Sequence, residues 1–192
     1  MRPLLLACLL LAACVGEKPI HYYRVNQPAA PAAAVKANGP ILLVARIAAP
    51  EALQDNRIRY RAGANEVGAY EYHRWTDRPS LMVRELLIQT LRDSGRYRQV
   101  QEASSSAVGD FLLRGRLDEF DEIDEPALHS RVSLRLELVD RKTGLVVWDR
   151  HFHREEPIAA KNIKDVVASL ERNLQQVIAE ASAALAQTSP QR

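Results

Sequence analysis

The run Ile41-Leu42-Leu43-Val44-Ala45-Arg46-Ile47 is aliphatic almost throughout and does not alternate with polar residues. Successive side chains of a strand point to opposite faces, so such a run needs apolar cover on both, which makes it the central strand of a layered fold. Two segments have the helical spacing to supply cover. Residues 80–94 gather Met82, Val83, Leu86, Leu87 and Leu91 on one stripe with Arg84, Glu85, Gln89 and Arg92 opposite, Ser80 as expected cap and Gly95 as terminator. Residues 162–186 repeat the pattern with Val166, Val167, Leu170, Leu174, Val177, Ile178, Ala181 and Leu185 inside and Glu171, Arg172 and Glu180 mostly outside. The other periodic stretches are strands: 57–61 and 69–73 about a turn over Gly63 to Gly68, then 97–101, 111–123, 130–140 and 145–152. Lys142-Thr143-Gly144 forms a tight turn between the last two. The expected fold class is a single layered α/β domain, a mixed β-sheet with two main amphipathic helices, and not a bundle or a pure barrel.

Ahead of this body the chain changes character. Met1-Arg2 is followed by the apolar run Leu4 to Ala13, which has the anatomy of a secretory signal and is too short to span a bilayer as a helix. Leu11-Ala12-Ala13-Cys14 resembles the lipobox of bacterial lipoproteins, in which the cysteine thiol is acylated and becomes the first residue after cleavage. Cys14 is therefore the expected lipid attachment site, ahead of Cys8, which has too little chain before it. The plain alternative is a secretion signal with an incidental cysteine. Valine at position 15, with no aspartate there, implies by the sorting habit of such lipoproteins an outer-membrane, periplasm-facing location. Residues 15–39, rich in Ala and Pro, read as a linker whose roughly 25 residues span about 25 to 30 Å when flexible. Within it, His21-Tyr22-Tyr23-Arg24-Val25 either docks as an edge strand or strap or stays with the linker. The expected divisions are a signal peptide over 1–13, a lipidated N-terminus and linker over 14–39, and the domain over 40–188.

Charge and motif content narrow the function. The chain has 26 Lys and Arg against 24 Asp and Glu in 192 residues, and this balance argues against nucleic acid as a partner. Both cysteines precede residue 15, so the body holds no thiol for a disulfide, a metal or a nucleophile. No G-x-S-x-G, G-x-x-x-x-G-K-[ST], H-E-x-x-H or G-x-G-x-x-G pattern occurs, and nothing points to an enzyme or a cofactor. His151 and His153 share a strand face, either as two ligands lacking a third or as surface histidines beside Phe152. Residues 118–125 carry six carboxylates without a calcium-loop pattern, which reads as a solvated strand end or a partner-facing acidic patch. Arg57, Arg59 and Arg61 form a basic strip that either meets lipid phosphates or an acidic partner, or guards a strand edge. Tyr70, Tyr72 and Trp75 either cover the core or anchor an interface.

The stretch Tyr70-Glu71-Tyr72-His73-Arg74-Trp75-Thr76-Asp77-Arg78-Pro79, with the helix after it and Gly95-Arg96-Tyr97, resembles the signature region of the ABC-type transport auxiliary lipoprotein family. Cys14, the early Tyr22-Tyr23-Arg24-Val25, the Gly109 to Phe120 strand and the Leu138 to Trp148 hairpin match the order of the family's elements. Departures are the Ala/Pro-rich linker and a valine where the early motif often has leucine. The resemblance implies a domain similar to the anticodon-binding or TolB N-terminal type. It further implies service, by docking rather than catalysis, to an intermembrane lipid transport system whose ABC permease, ATPase and mammalian-cell-entry (MCE) domain protein are separate chains. A phospholipid-carrying module with its pocket between sheet and helices, and an assembly lipoprotein unrelated to any transporter, stand as alternatives, and self-association into a homo-oligomer stays open.

Overall fold

One strand organises the sheet because both of its edges are used. β6 (Phe111–Ile123) is antiparallel along one edge to β7 (His129–Asp140), in register from Phe111 opposite Asp140 to Ile123 opposite His129. Its other edge is divided. β2 (Ile41–Ala48) runs parallel to residues 111–116, and β3 (Arg57–Ala62) runs parallel to residues 121–123. The two behave as one strand interrupted at a 3₁₀ turn over Glu51–Leu53. β4 (Glu66–Trp75) then pairs antiparallel with β3, β1 (His21–Tyr23) pairs parallel with β4, β5 (Gln99–Glu102) flanks β2, and β8 (Val146–Pro157) flanks β7. The result is an open, eight-stranded mixed sheet. α1 (Pro79–Asp93) rests on β2 and β5, α2 (Ile163–Gln187) rests on β6, β7 and β8, and the two helices touch side by side. The computed structural model describes residues 18–28, 33–34, 38–63, 65–104 and 106–188; the signal segment and Cys14 lie outside them.

The core fills the space between this sheet and the helices. Leu42, Val44, Leu113, Leu117, Phe120, Val132, Leu134 and Leu136 from the strands meet Val83, Leu87, Leu91, Val166, Leu170, Leu174 and Val177 from the helices, all essentially inaccessible to solvent. The pocket expected of a lipid carrier between sheet and helices is therefore occupied by side chains. Leu43 points the other way and is buried under the loop at Gly109, where a β-carbon would come within 2.6 Å of it. β2 is thus covered on both faces, one by helices and one by a loop, but it is not the central strand expected: it lies beside the edge strand β5, and β6 takes the central place. A bulge between Leu117 and Glu119 of β6 inserts one residue, which keeps Phe120 on the helix side opposite Val132.

Local chemistry sets the element ends. α1 starts with Pro79 at its first turn, where the missing N–H is no loss, and Arg78 at the cap makes no side-chain bond. Ser80 lies inside the helix and does not cap it, contrary to expectation. Gly95 follows the helix with φ of 63°, the left-handed conformation that glycine reaches without strain. Asn162 caps α2 by accepting the Asp165 N–H at 3.1 Å. At the β7–β8 turn the Asp140 carboxylate accepts the N–H groups of Lys142 and Thr143. β8 continues to Pro157, five residues beyond the expected Phe152, because β7 pairs with it as far as His129.

The largest difference concerns the linker. His21–Tyr23 is an edge strand, and the chain after it crosses the helices as a strap. The Asn26 N–H donates to Glu171 at 2.7 Å, Gln175 donates to the Asn26 carbonyl at 2.7 Å, and the Gln27 amide donates to Asp93. Val25 packs against the core, and the Ala33 N–H donates to the Asp93 carbonyl. The folded body accordingly begins ahead of residue 40. The free reach expected of a 25-residue linker is not available to residues that are fastened down.

A second, polar fastening seats α2. Ser130, Ser169 and Asn173 are fully buried; the serine hydroxyls lie 2.8 Å apart, and the Asn173 amide donates to the Ser130 carbonyl and to the Arg154 carbonyl of β8. Removing the amide strands two buried carbonyls. Asn173→Ala is expected to destabilise the protein by about 2 kcal/mol, measured as a lower urea midpoint at unchanged slope.

Candidate functional site

The candidate residues read from sequence fall on the β3–β4 hairpin, and the structure distributes them among three environments. The hairpin is irregular: Arg57 pairs with Arg74, yet Arg59 pairs with Ala69, so β4 holds extra residues over 70–73 that β3 does not match. Those residues carry an aromatic cluster. The Tyr60 and Tyr70 rings meet edge to face at 5.5 Å, Tyr70 meets His73 at 5.9 Å, and His73 stacks on His21 at 5.3 Å. The Tyr23 hydroxyl lies 3.0 Å from His73 Nδ1. Gly68 stands opposite Tyr60, and a β-carbon there would come within 2.2 Å of the Tyr60 ring, so glycine is what lets the ring lie across the strand.

Beneath the cluster is a buried acid. The Tyr70 hydroxyl donates to Glu122 Oε2 at 2.6 Å, and Glu122 is fully buried. Burial pushes the Glu122 carboxyl above the usual carboxylate range and the nearby Asp124 carboxylate adds to this, while the Tyr70 hydroxyl works against it. Burial, then the contact with Glu122, pushes the Tyr70 phenol well above its ordinary value. Asp124 in turn holds Lys161 at 2.8 Å.

The basic strip is not a free cationic surface. Arg59 is paired with Asp55 at 2.7 Å and Arg57 stands 3.7 Å from the same carboxylate. Arg61 binds Asp121 at 2.9 Å and Glu119 at 3.4 Å. Nor does the strip guard an edge, since β3 has neighbours on both sides. Trp75 is fully buried against Phe120 at 5.3 Å, which assigns it to the core rather than to an interface. Tyr72 is half-buried with the Lys18 ammonium 5.4 Å from its ring centroid.

The acidic stretch is also not the solvated strand end that its composition implies. Asp121 and Glu122 are buried, and Glu119 joins a lattice with Arg61, Arg131 and His153 on the sheet face away from the helices. Arg131 continues that lattice to Glu155 at 2.8 Å, and Arg135 holds Asp149 at 2.6 Å. His151 bonds Ser133 at 2.7 Å, and the described residues contain no group of three or more His, Cys, Asp or Glu able to hold a metal ion. Sequence reasoning missed the roles of Tyr60, His21, Tyr23, His73 and Glu122. The available signal was two charged residues in succession, Asp118-Glu119, which breaks the alternation and marks the bulge that turns Glu122 inward.

Two surface clefts lie elsewhere. One of about 680 Å³ runs between the strap, with Arg24 and Gln27, and the α1 residues Glu85, Gln89 and Arg92. Another of about 430 Å³ separates Leu86 and Thr90 of α1 from Ala179, Ala183 and Ala186 of α2. Neither Tyr70 nor Glu122 is among the residues lining these two clefts. Because the folded Glu122 carboxyl is the weaker acid, the folded state binds more protons than the unfolded one once pH rises past the ordinary carboxylate range. Stability from this group is present at low pH and falls as pH rises through its raised value. Glu122→Gln is expected to flatten that fall, seen as a urea midpoint that changes less than wild type between pH 4.5 and 8. Tyr70→Phe is expected to cost roughly 1 to 3 kcal/mol, because the buried Glu122 loses its hydrogen-bond partner.

Comparisons with known proteins agree with this architecture. A family model described as the ABC-type transport auxiliary lipoprotein component matches residues 23–182. Protein XCC0632 from Xanthomonas campestris, a DUF330 member, superposes with a TM-score of 0.77 at 22% identity, over 86% of this chain and 94% of that one. An uncharacterised protein of known structure superposes with a TM-score of 0.70 at 18% identity, over 88% of this chain and 99% of that one. These likenesses concern the fold, and no curated protein sequence matches. With its family model spanning all but the two ends, the chain belongs to the ABC-type transport auxiliary lipoprotein component family.

Proposed function

We propose that this protein is fastened to the outer membrane, facing the periplasm, by acylation of Cys14. There it serves as a docking component for an ABC-type lipid transporter whose permease, ATPase and MCE-domain protein are other chains. The observation that carries this reading is the match of residues 23–182 to the auxiliary lipoprotein family behind the lipobox at Leu11-Ala12-Ala13-Cys14. Acyl chains on one cysteine anchor durably, since each buried methylene contributes about 0.8 kcal/mol and two chains suffice for stable attachment. No helix among the described residues is long and apolar enough to cross a membrane. The buried carboxylates Glu122 and Asp121 are paired with Tyr70 and Arg61, which supports binding over catalysis.

Lys18, the first of the described residues, holds its ammonium over the Tyr72 ring. Four residues from Cys14 reach at most about 14 Å, at roughly 3.3 to 3.6 Å per residue, so the body stands close to its bilayer. Something other than this linker bridges the rest of the periplasm.

Cys14→Ser is expected to move most of the chain from the washed membrane fraction to the soluble one. Retention after washing would overturn the anchor. The wild-type chain, extracted in mild detergent, is expected to bring down the permease, the ATPase and the MCE protein. Recovery without permease and ATPase would overturn the transporter assignment, and recovery lacking only the MCE protein would overturn that part of it.

A further inference from the structure

The edge strand β1 is held to the sheet largely by titratable rings. It pairs with β4 over 3 residues, with His21 directly opposite His73 and Tyr23 opposite Trp75. The two imidazoles stack with their centroids 5.3 Å apart and their planes 19° from parallel. The Tyr23 hydroxyl lies 3.0 Å from His73 Nδ1, and the Tyr23 ring stands 5.8 Å from the same imidazole. The other fastenings are the Thr76 N–H, which donates to the Tyr23 carbonyl at 2.7 Å, and Lys18 over Tyr72. Tyr22, the middle residue of β1, is 57% exposed. So short an edge strand opens at far lower cost than the core does, and the state of its few side chains decides whether it stays docked.

The groups that face His73 are His21 and Tyr23 from β1 and Tyr70 from its own strand. Tyr70 turns its hydroxyl to Glu122 of β6, and Tyr60 of β3 meets it from the other side. The remaining charges at this edge, Lys18 and Glu71, meet Tyr72 and not the imidazoles. Among the described residues no ion pair joins His21 or His73 to a carboxylate. Protons on both rings therefore stack two cations at a contact that holds no anion to offset them. Burial, then the neighbouring His21, hold the His73 imidazole below its ordinary value. Once β1 lets go, His73 takes a proton more readily, so docking weakens as pH falls through the ordinary imidazole value of about 6.5.

We propose that the stacked His21–His73 pair is a pH-sensitive latch that releases β1 from β4 in mildly acidic surroundings. Neutral rings stack and keep the strand in place, whereas doubly protonated rings repel and free it. Release lays open the β4 edge over residues 73–75 and adds residues 18–23 to the free chain ahead of the strap. The strap itself is held by Glu171, Gln175 and Asp93, none of which touches the histidines, so the helices keep their cover. The latch is local and opposite in sign to Glu122, whose contribution falls as pH rises.

The test is amide hydrogen exchange on the full chain in mild detergent at pH 5.5 and 7.5, each amide corrected for its intrinsic rate. The amides of residues 21–23, and that of Thr76, which is bonded to Tyr23, are expected to lose protection roughly threefold to tenfold at the lower pH. Amides of α1 and β3 are expected to hold theirs. Phenylalanine keeps a ring for stacking but takes no proton, so His73→Phe is expected to remove the pH dependence and His21→Phe to reduce it. His21 is exposed, and its variant decides the matter should His73→Phe fail to fold. Equal protection at both pH values, an unaltered pH dependence in His21→Phe, or loss of β3 protection in step with β1 would each overturn the latch.

Discussion

The structure depends on β6 having two edges and using them unequally. Its continuous antiparallel pairing with β7 provides a long, rigid axis, while its other edge is shared by β2 and β3. Sharing requires the chain to break between those strands, and the break creates two wings. The β2–β5 wing carries α1, and the β3–β4–β1 wing carries the aromatic cluster. A backbone left half-paired in the interior would cost several times what an exposed one does, so the division of one edge between two short strands is strongly specified.

The bulge in β6 links this axis to the buried acid. One inserted residue keeps Phe120 in the core and turns Glu122 inward beneath Tyr70, while Asp121 faces Arg61 on the opposite side. Charges that look like a surface run in the sequence thus become internal pairs on two faces. Such pairs add little net stability, because desolvation offsets most of their attraction, but each penalises any register that would strand one partner. They fit a hairpin whose register is broken at Arg57 and Arg59 and has to be held by something other than a regular ladder.

The strap joins the sheet edge to both helices. Lys18, β1 and the segment to Gln27 run along the sheet edge and across both helices, so the chain ahead of residue 28 is part of the folded body.

The doubly covered strand, both helices and nearly all strands were legible from sequence, because apolar periodicity and turn residues are properties of neighbouring positions. The same local chemistry placed Gly95 after α1 and Asn162 at the start of α2. Tertiary structure alone decided that Arg59 and Arg61 are neutralised, that Glu122 is buried, and that residues 24–28 are a strap and not a linker. Each of these rests on partners far apart in the chain, such as Tyr70 with Glu122 or Asn26 with Glu171, and no local pattern records which distant residue a side chain will meet.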